Sequence, residues 1–177
     1  MREMYILLFT ILTSCLSCGK MGHCKDKELT LKIVEYTGKE LRTDGFYYGN
    51  PNTDYQSVKR YELFVFYKNG IMMLPGNVEF ENMEEYIASI TKSNQKDTKF
   101  VWGLFRIDNN INIEHWVAAQ CGYPAVLRTG DVLNDTTFVL KKMIRRDSQG
   151  TKETDINQEF RFRQSDVKPD STNNFIK

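Results

Sequence analysis

Short aromatic and β-branched segments separated by turn residues constrain the fold of this chain more than any other feature. Residues 61–67 are one such segment, and Lys68-Asn69-Gly70 separates them from the apolar residues 71–74. Asn-Gly between two apolar segments predicts a β-hairpin with a type I′ turn, which needs positive φ at both central residues. The same composition rules predict further strands over residues 44–48, 99–107, 111–118, 125–133, 136–144 and 160–163.

Residues 80–95 form the one segment with a helical period. Its apolar residues recur at intervals of three and four positions: Phe80, Met83, Ile87 and Ile90. Asn82 and Glu85 are spaced as a capping box, with Asn in the place of Ser or Thr. Residues 29–36 fit either a strand or a helix, and the polar residues 145–158 predict a long loop.

Seven or eight strands in sequential hairpins predict a mainly β fold, in which an antiparallel up-and-down meander closes into a barrel of about eight strands. Closure removes the exposed edges that an open sheet leaves. A half-open sandwich is the alternative. The strands at residues 61–67 and 100–107 are apolar on both faces, so one face fills the barrel. The helix or a partner protein must cover the other face.

Length and charge exclude several classes of protein. The 177 residues suit a single folded domain. Because 24 Lys and Arg balance 23 Asp and Glu, we expect no nucleic-acid partner that binds through bulk basic charge. A hydrophobic fraction of 41% is too large for a disordered chain.

The N-terminus has the pattern of an export signal. A basic residue precedes an apolar segment that is too short to span a bilayer and that ends in Leu12-Thr13-Ser14-Cys15. This ending resembles a bacterial lipobox, which implies a signal peptide over residues 1–14 and a lipid-modified Cys15. Cys18 is the alternative anchor, since a small residue also precedes it. We expect residues 15–28 to be a lipidated tether and residues 29–177 to be one barrel domain with a polar C-terminal tail.

The lipobox places the protein in the bacterial cell envelope, with the outer membrane favoured and the leaflet left open. An exported protein can form disulfides, and Cys18 or Cys24 bridged to Cys121 would pin the tether to the barrel. Cys18, His23 and Cys24 are also potential metal ligands, but their spacing fits no strong zinc pattern. We therefore predict no metal and no cofactor.

Phrases spread over most of the mature chain resemble a known group of proteins. They are Leu41-Arg-Thr-Asp-Gly-Phe-Tyr-Tyr48, Phe66-Tyr-Lys-Asn-Gly70, Trp102-Gly-Leu-Phe-Arg-Ile107, Ile113-Glu-His-Trp116 and Lys168-Pro-Asp-Ser-Thr-Asn-Asn174. The set is similar to small envelope lipoproteins of anaerobic Gram-negative bacteria with a lipocalin-like β-barrel body. The resemblance implies a lipid anchor and a barrel, and it carries no activity to transfer.

Catalytic motifs are weak throughout. Ser89-Ile-Thr-Lys92 matches a Ser-x-x-Lys pattern without its partner motifs, and Asp108, Asn110 and Asn112 suit a polar turn better than a calcium loop. Glu114 and His115 point to opposite faces of one strand, so they form no acid–base pair. A catalytic His115 would need Ser or Cys, such as Cys121, brought to it by the fold. We predict no catalytic residue.

The aromatic strands have two interpretations that the sequence leaves open, the packed core of a filled barrel and the lining of a ligand pocket in a hollow one. An apolar pocket with a few polar groups would bind a small hydrophobic or amphipathic molecule. Its predicted lining residues are Tyr47, Phe64, Phe66, Trp102, Arg106, Trp116 and Arg128. The sequence thus predicts a non-enzymatic, membrane-anchored ligand-binding protein. An accessory subunit that binds another envelope protein is the alternative, and an enzyme that uses His115 is a third hypothesis.

Overall fold

A computed structural model describes residues 25–53 and 57–177. Nine strands are joined largely by short turns. They are β1 (Gly45–Gly49), β2 (Asn52–Thr53), β3 (Lys59–Phe66), β4 (Ile71–Val78), β5 (Trp102–Ile107), β6 (Ile111–Trp116), β7 (Ala125–Asn134), β8 (Thr137–Asp147) and β9 (Gly150–Gln164). One α-helix, α1 (Met83–Ile90), lies between β4 and β5.

The strands close into the predicted antiparallel barrel. Each strand from β3 to β8 pairs with the strand that follows it in the chain. β1 then closes the barrel, because it pairs with β9 on one side and with β3 on the other. The closed barrel therefore has eight strands, and the two-residue β2 pairs only with the start of β3. The up-and-down topology and the barrel closure are both confirmed.

Two apolar clusters lie on the two faces of the barrel wall. The interior cluster is largely aromatic and draws on strands from all around the barrel: Leu41, Tyr47, Phe64, Phe66, Met72, Phe105, Ile111, Ile113, Phe138, Leu140 and Phe160. The outer cluster combines α1 with the outward residues of β1, β3, β4 and β5: Phe46, Leu63, Val65, Tyr67, Ile71, Met73, Val78, Met83, Ile87, Ile90, Val101, Trp102 and Leu104. The strands that are apolar on both faces therefore fill the barrel with one face and pack beneath the helical segment with the other, as predicted.

The outer cluster is covered by three parts of the same chain. Helix α1 buries Met83, Ile87 and Ile90 against it. Leu29 and Leu31 pack on it from the N-terminal side, and Phe175 and Ile176 pack on it from the C-terminal side. A partner protein is therefore not needed to cover this face.

The β3–β4 turn differs from the predicted type I′ form. The Gly70 amide donates to the Tyr67 carbonyl at 3.0 Å, and the Tyr67 amide donates to the Ile71 carbonyl at 3.0 Å. Only Gly70 has a positive φ, of 79°, in this turn. The connection is the three-residue form, in which a type I turn is followed by a left-handed glycine. The hairpin prediction is correct, and the turn type is wrong.

The helical region is shorter than predicted. Helix α1 covers only Met83–Ile90, while Phe80–Asn82 and Asn94–Asp97 form 3-10 turns on either side. Asn82 precedes α1, but its side chain makes no capping hydrogen bond, so the capping box is wrong. Residues 99–101 are also a 3-10 turn, so β5 begins at Trp102.

Residues 29–36 are neither a strand nor a helix. They belong to an extended segment, residues 25–36, which we call the strap because it runs along the outside of the barrel. The Lys27 amide donates to the Tyr123 carbonyl at 2.9 Å, and the Tyr36 amide donates to the Lys68 carbonyl at 2.6 Å. The backbone polar groups of the strap therefore bond to the barrel instead of to a helix or a sheet of their own.

Residues 145–158 are not the predicted long loop. β8 continues to Asp147 and β9 starts at Gly150, so one long hairpin occupies this region. Its residues are mostly exposed, which removes the apolar alternation that marks a half-buried strand. Cross-strand pairs hold it instead, for example Lys142 with Glu153 at 2.6 Å.

Candidate functional site

The barrel wall has a gap between β4 and β5. These strands pair only through Ile71, Met72 and Met73, and the chain then leaves the wall for the helical segment before β5. The register of β3 and β4 also shifts between the Leu63–Gly76 pair and the Val65–Met73 pair. This shift adds one residue to β4, and a bulge of this kind bends its strand.

Pro75 lies in this bulge. Proline has no amide proton to donate to a neighbouring strand, which confines it to edges and bulges. The Pro75 carbonyl accepts a hydrogen bond from the Tyr86 hydroxyl at 2.6 Å and another from the Gln95 side chain. These two hydrogen bonds therefore attach the bulge to the helical segment, which lies outside the barrel.

A cavity of about 280 Å³ occupies the gap. Its apolar lining includes Leu74, Pro75, Phe100, Trp116, Val117 and Ala118, and its polar side chains are Glu62, Asn77, His115 and Arg128. Asn77, Phe100 and Ala118 are exposed, so the cavity opens to solvent on this side. The volume lies just below the usual range for small-molecule sites, about 300–1,000 Å³, and a mainly apolar wall with few polar groups is their usual composition.

An ion pair lies on the inner side of this cavity. The Arg128 guanidinium on β7 donates through Nη1 to Glu62 Oε2 on β3 at 2.7 Å. The two side chains are only 11% and 16% exposed. Arg128 also lies 5.7 Å from the centroid of the Phe64 ring, within the range of a cation–π contact. The Arg128 Nε atom is buried and has no hydrogen-bond partner.

His115 on β6 faces the same cavity and is 1% exposed. Its Nδ1 lies 2.8 Å from the Trp116 carbonyl oxygen, which can only accept, so Nδ1 carries a proton. Burial, assisted by the positive charge of Arg128, lowers the pKa of His115 from 6.5 to about 3. The ring is therefore neutral at pH 7, and its buried Nε2 is an acceptor without a partner.

The opposite end of the barrel is capped. The Tyr47 hydroxyl donates to the Asp135 carbonyl at 2.9 Å and accepts from the Arg42 amide at 2.9 Å. Leu41 is buried in the interior cluster, and Tyr36 packs against Phe105 with ring centroids 5.4 Å apart. The interior is thus filled with aromatic side chains at this end and has its cavity at the other.

The structure brings only two of the seven predicted pocket residues to the cavity, Trp116 and Arg128. Tyr47, Phe64 and Phe66 lie in the packed interior, where each is at most 1% exposed. The other two lie outside the barrel lumen. Trp102 belongs to the outer cluster, where its indole N–H donates to the Lys96 carbonyl at 2.7 Å, and Arg106 pairs with Asp108 at 2.7 Å.

The pocket prediction did not include nine of the eleven lining residues, and Glu62 and His115 are the titratable ones among the nine. Both face inward in the register that the sequence indicates, because Glu62 alternates with Phe64 and His115 alternates with Ile113. A lone acidic residue on the interior face of an apolar strand is a signal for a buried ion pair. That signal was present in residues 61–67.

The described cavity lining contains no Ser, Thr or Cys that could act as a nucleophile beside His115. Cys121 is disulfide-bonded and therefore is not a free thiol. Its predicted partners, Cys18 and Cys24, lie outside the described residues. Glu114 points away from His115, as expected, and belongs to a different network.

The residues around Asp108 form a hairpin turn, which is the interpretation that the sequence favoured over a calcium loop. The Asp108 amide donates to the Asn110 carbonyl at 3.2 Å, and the Asn110 side chain bonds to Asp131. Within residues 25–53 and 57–177, no three His, Cys, Asp or Glu side chains are grouped to hold a metal ion. Cys18 and His23, with the adjacent Cys24, precede that part.

Glu114 fastens the strap to the barrel. It is fully buried on the outward face of β6, and it accepts hydrogen bonds from the Thr30 amide at 2.6 Å, the Leu31 amide at 2.7 Å and the Thr30 hydroxyl at 2.9 Å. Arg146 on β8 supplies the neutralising charge. Nearby, the Trp116 indole donates to the Lys27 carbonyl at 2.6 Å. Trp116 thus contacts both the strap and the cavity.

Comparisons with known proteins give no match to a family model, a curated protein or a solved structure. In the described part of the chain, none of the helices has the length and apolar character that a membrane crossing requires. The predicted signal peptide and the two predicted anchor residues, Cys15 and Cys18, precede residue 25 and lie outside the described residues. Functional conclusions therefore depend on the geometry of the cavity.

Proposed function

We propose that this protein is a non-enzymatic, lipid-anchored component of the bacterial cell envelope that binds a small amphipathic molecule in the wall cavity of its barrel. The observation that carries the proposal is the cavity of about 280 Å³ at the β4 bulge. Its lining combines the apolar residues Leu74, Pro75 and Val117 with the ion pair of Arg128 and Glu62.

The composition of the lining supports an amphipathic ligand. The exposed rim residues Phe100 and Ala118 leave the cavity open to a ligand from solvent, and the ion pair of Arg128 and Glu62 supplies polar atoms beside the apolar lining. The capped end of the barrel, in contrast, has its Tyr47 hydroxyl fully engaged.

Native mass spectrometry of the full chain, purified gently from its host, tests ligand binding. We expect an adduct that survives purification and disappears on denaturation. Ala118→Trp places an indole at the cavity mouth and should abolish the adduct. Ala119→Trp is the matched control, because Ala119 is also exposed but does not line the cavity. An apo mass for the wild type, or equal adducts in both variants, would contradict the proposal.

The lipid anchor is tested separately. Metabolic labelling with an alkyne fatty acid should label the wild type and Cys18→Ser but not Cys15→Ser. Acyl chains at Cys15 would hold the protein on the membrane, since each buried methylene contributes about 0.8 kcal/mol. Loss of label in Cys18→Ser alone would move the anchor to Cys18. Label in neither the wild type nor the variants would refute the anchor.

A further inference from the structure

We propose that the cavity end of the barrel, where β6 ends and β7 begins, contacts the surface of the membrane that holds the protein, so that the wall cavity opens toward the bilayer. This inference rests on the proposed lipid anchor and adds an orientation to it. Three observations carry it: the place where the strap begins, the length of the tether between the strap and Cys15, and the residues around the cavity mouth.

The strap joins the barrel at the cavity end. The Asp26 carboxylate accepts a hydrogen bond from the Tyr123 amide at 3.0 Å, and the Lys27 carbonyl accepts one from the Trp116 indole at 2.6 Å. Tyr123 belongs to the loop between β6 and β7, and Trp116 lines the cavity. The chain that leads back to Cys15 therefore meets the barrel beside the cavity mouth.

The tether is too short to turn the barrel over easily. The strap runs the length of the barrel, from Lys27 at the cavity end to Tyr36, which bonds to Lys68 in the β3–β4 turn at the other end. Tyr36 follows Lys27 by nine positions, and Lys25 follows Cys15 by ten. If the other end faced the membrane, the tether would have to run back along the whole barrel in a nearly extended form, which removes most of its conformational entropy.

The surface around the cavity mouth is uncharged. The β6–β7 loop, residues 117–124, contains no charged residue, and Ala118 and Ala119 within it are exposed. The exposed ring of Phe100 lines the cavity together with Val117 and Ala118. Small apolar and aromatic side chains without charges can contact lipid headgroups at little desolvation cost.

The other end of the barrel is polar. Three turns there carry exposed charged side chains: Lys68 between β3 and β4, Asp108 between β5 and β6, and Asp135 between β7 and β8. Contact between this end and lipid would remove water from these charges, which is unfavourable. The two ends therefore differ in the direction that places the cavity end at the membrane.

Site-specific photocrosslinking in vesicles tests the inference. The lipid-modified full chain, with benzoylphenylalanine in place of either Gln120 or Asn109, is purified in detergent from its host. It is then incorporated into vesicles of phosphatidylethanolamine and phosphatidylglycerol. Both residues are exposed, Gln120 in the β6–β7 loop and Asn109 in the β5–β6 turn, and neither lines the cavity, so a bound ligand gives no signal. Mass spectrometry measures the protein–lipid adducts against an unirradiated sample.

We expect at least about fivefold more lipid adduct at position 120 than at position 109. The six residues of β6 separate the two positions by about 20 Å, which exceeds the depth of one headgroup layer, about 5–8 Å. Asn109 is the matched control, because its turn adjoins the other end of the same strand. If the change at Gln120 impairs folding, exposed Ala119 in the same loop takes its place.

The outcomes separate this inference from the proposed function. Equal adducts at the two positions, or more at position 109, would overturn the orientation, while the native mass of the wild type still decides ligand binding. If fatty-acid labelling finds no anchor, the orientation fails together with the anchor, and the cavity can still bind its ligand. If the orientation is confirmed but the native mass is that of the apo protein, only the ligand proposal fails.

Discussion

Acid should weaken the fold through one buried histidine. His115 has a pKa of about 3 in the folded protein against 6.5 for an ordinary histidine, so the unfolded chain binds the extra proton between these values. Because the unfolded state gains protons first, the contribution of His115 to stability is complete above pH 6.5 and is lost as the pH falls toward 3. The two pKa values give a loss of about 2–3 kcal/mol between pH 7 and pH 4.5.

Urea denaturation of the full chain at a series of pH values measures this loss. The difference in unfolding free energy between the wild type and His115→Gln removes the contribution of the carboxylates, which both proteins share. That difference should fall by about 2–3 kcal/mol from pH 7 to pH 4.5. His23→Gln, which removes the only other histidine, should keep the slope of the wild type. A difference that does not vary with pH would show that His115 titrates normally and is not buried as a neutral acceptor.

Three further substitutions test the packing. Glu114→Gln should destabilise the protein by about 2–3 kcal/mol in urea denaturation, because the strap amides and Arg146 lose a buried carboxylate. Trypsin should then cut the variant after Lys27. If Lys27 stays as protected as in the wild type, Glu114 does not fasten the strap. Phe138→Ala should cost about 3–5 kcal/mol by leaving a hole among the stacked interior rings, and a loss below about 1 kcal/mol would indicate a loose interior. Gly103→Ala would place its Cβ 2.7 Å from that of His115, so it should shift the His115 ring resonances in NMR spectra, and unchanged spectra would contradict the tight contact.

The barrel could be predicted because each of its strands either alternates between apolar and polar residues or is apolar throughout. The sequence showed that residues 61–67 are apolar on both faces; in the structure, Phe64 and Phe66 lie inside the barrel, and Leu63 and Val65 lie outside. The β8–β9 hairpin could not be predicted from periodicity, since most of its residues face solvent on both sides. Its stability comes from pairing along the neighbouring strand, which is a non-local property.

The strap and the cavity depend on contacts between distant residues. The Leu31 amide bonds to Glu114, 83 positions away, and no local pattern in residues 29–36 indicates this. The cavity depends on the bulge at Pro75 and on the early end of the β4–β5 pairing. Pro75 directly follows the predicted apolar segment of residues 71–74, and a proline at that place was a signal for an edge or a bulge. The gap that the bulge leaves beside Arg128 and His115 could not be predicted, because it forms only when the barrel closes.

A crystal structure of the full chain purified from its host would decide whether the wall cavity binds a ligand. We expect electron density for a non-protein molecule in the cavity between the β4 bulge and the end of β6. Its hydrocarbon part should lie against Leu74, Pro75 and Val117, and a polar atom should lie beside the ion pair of Arg128 and Glu62. A cavity that contains only water, or one filled by rearranged side chains, would contradict the proposed function.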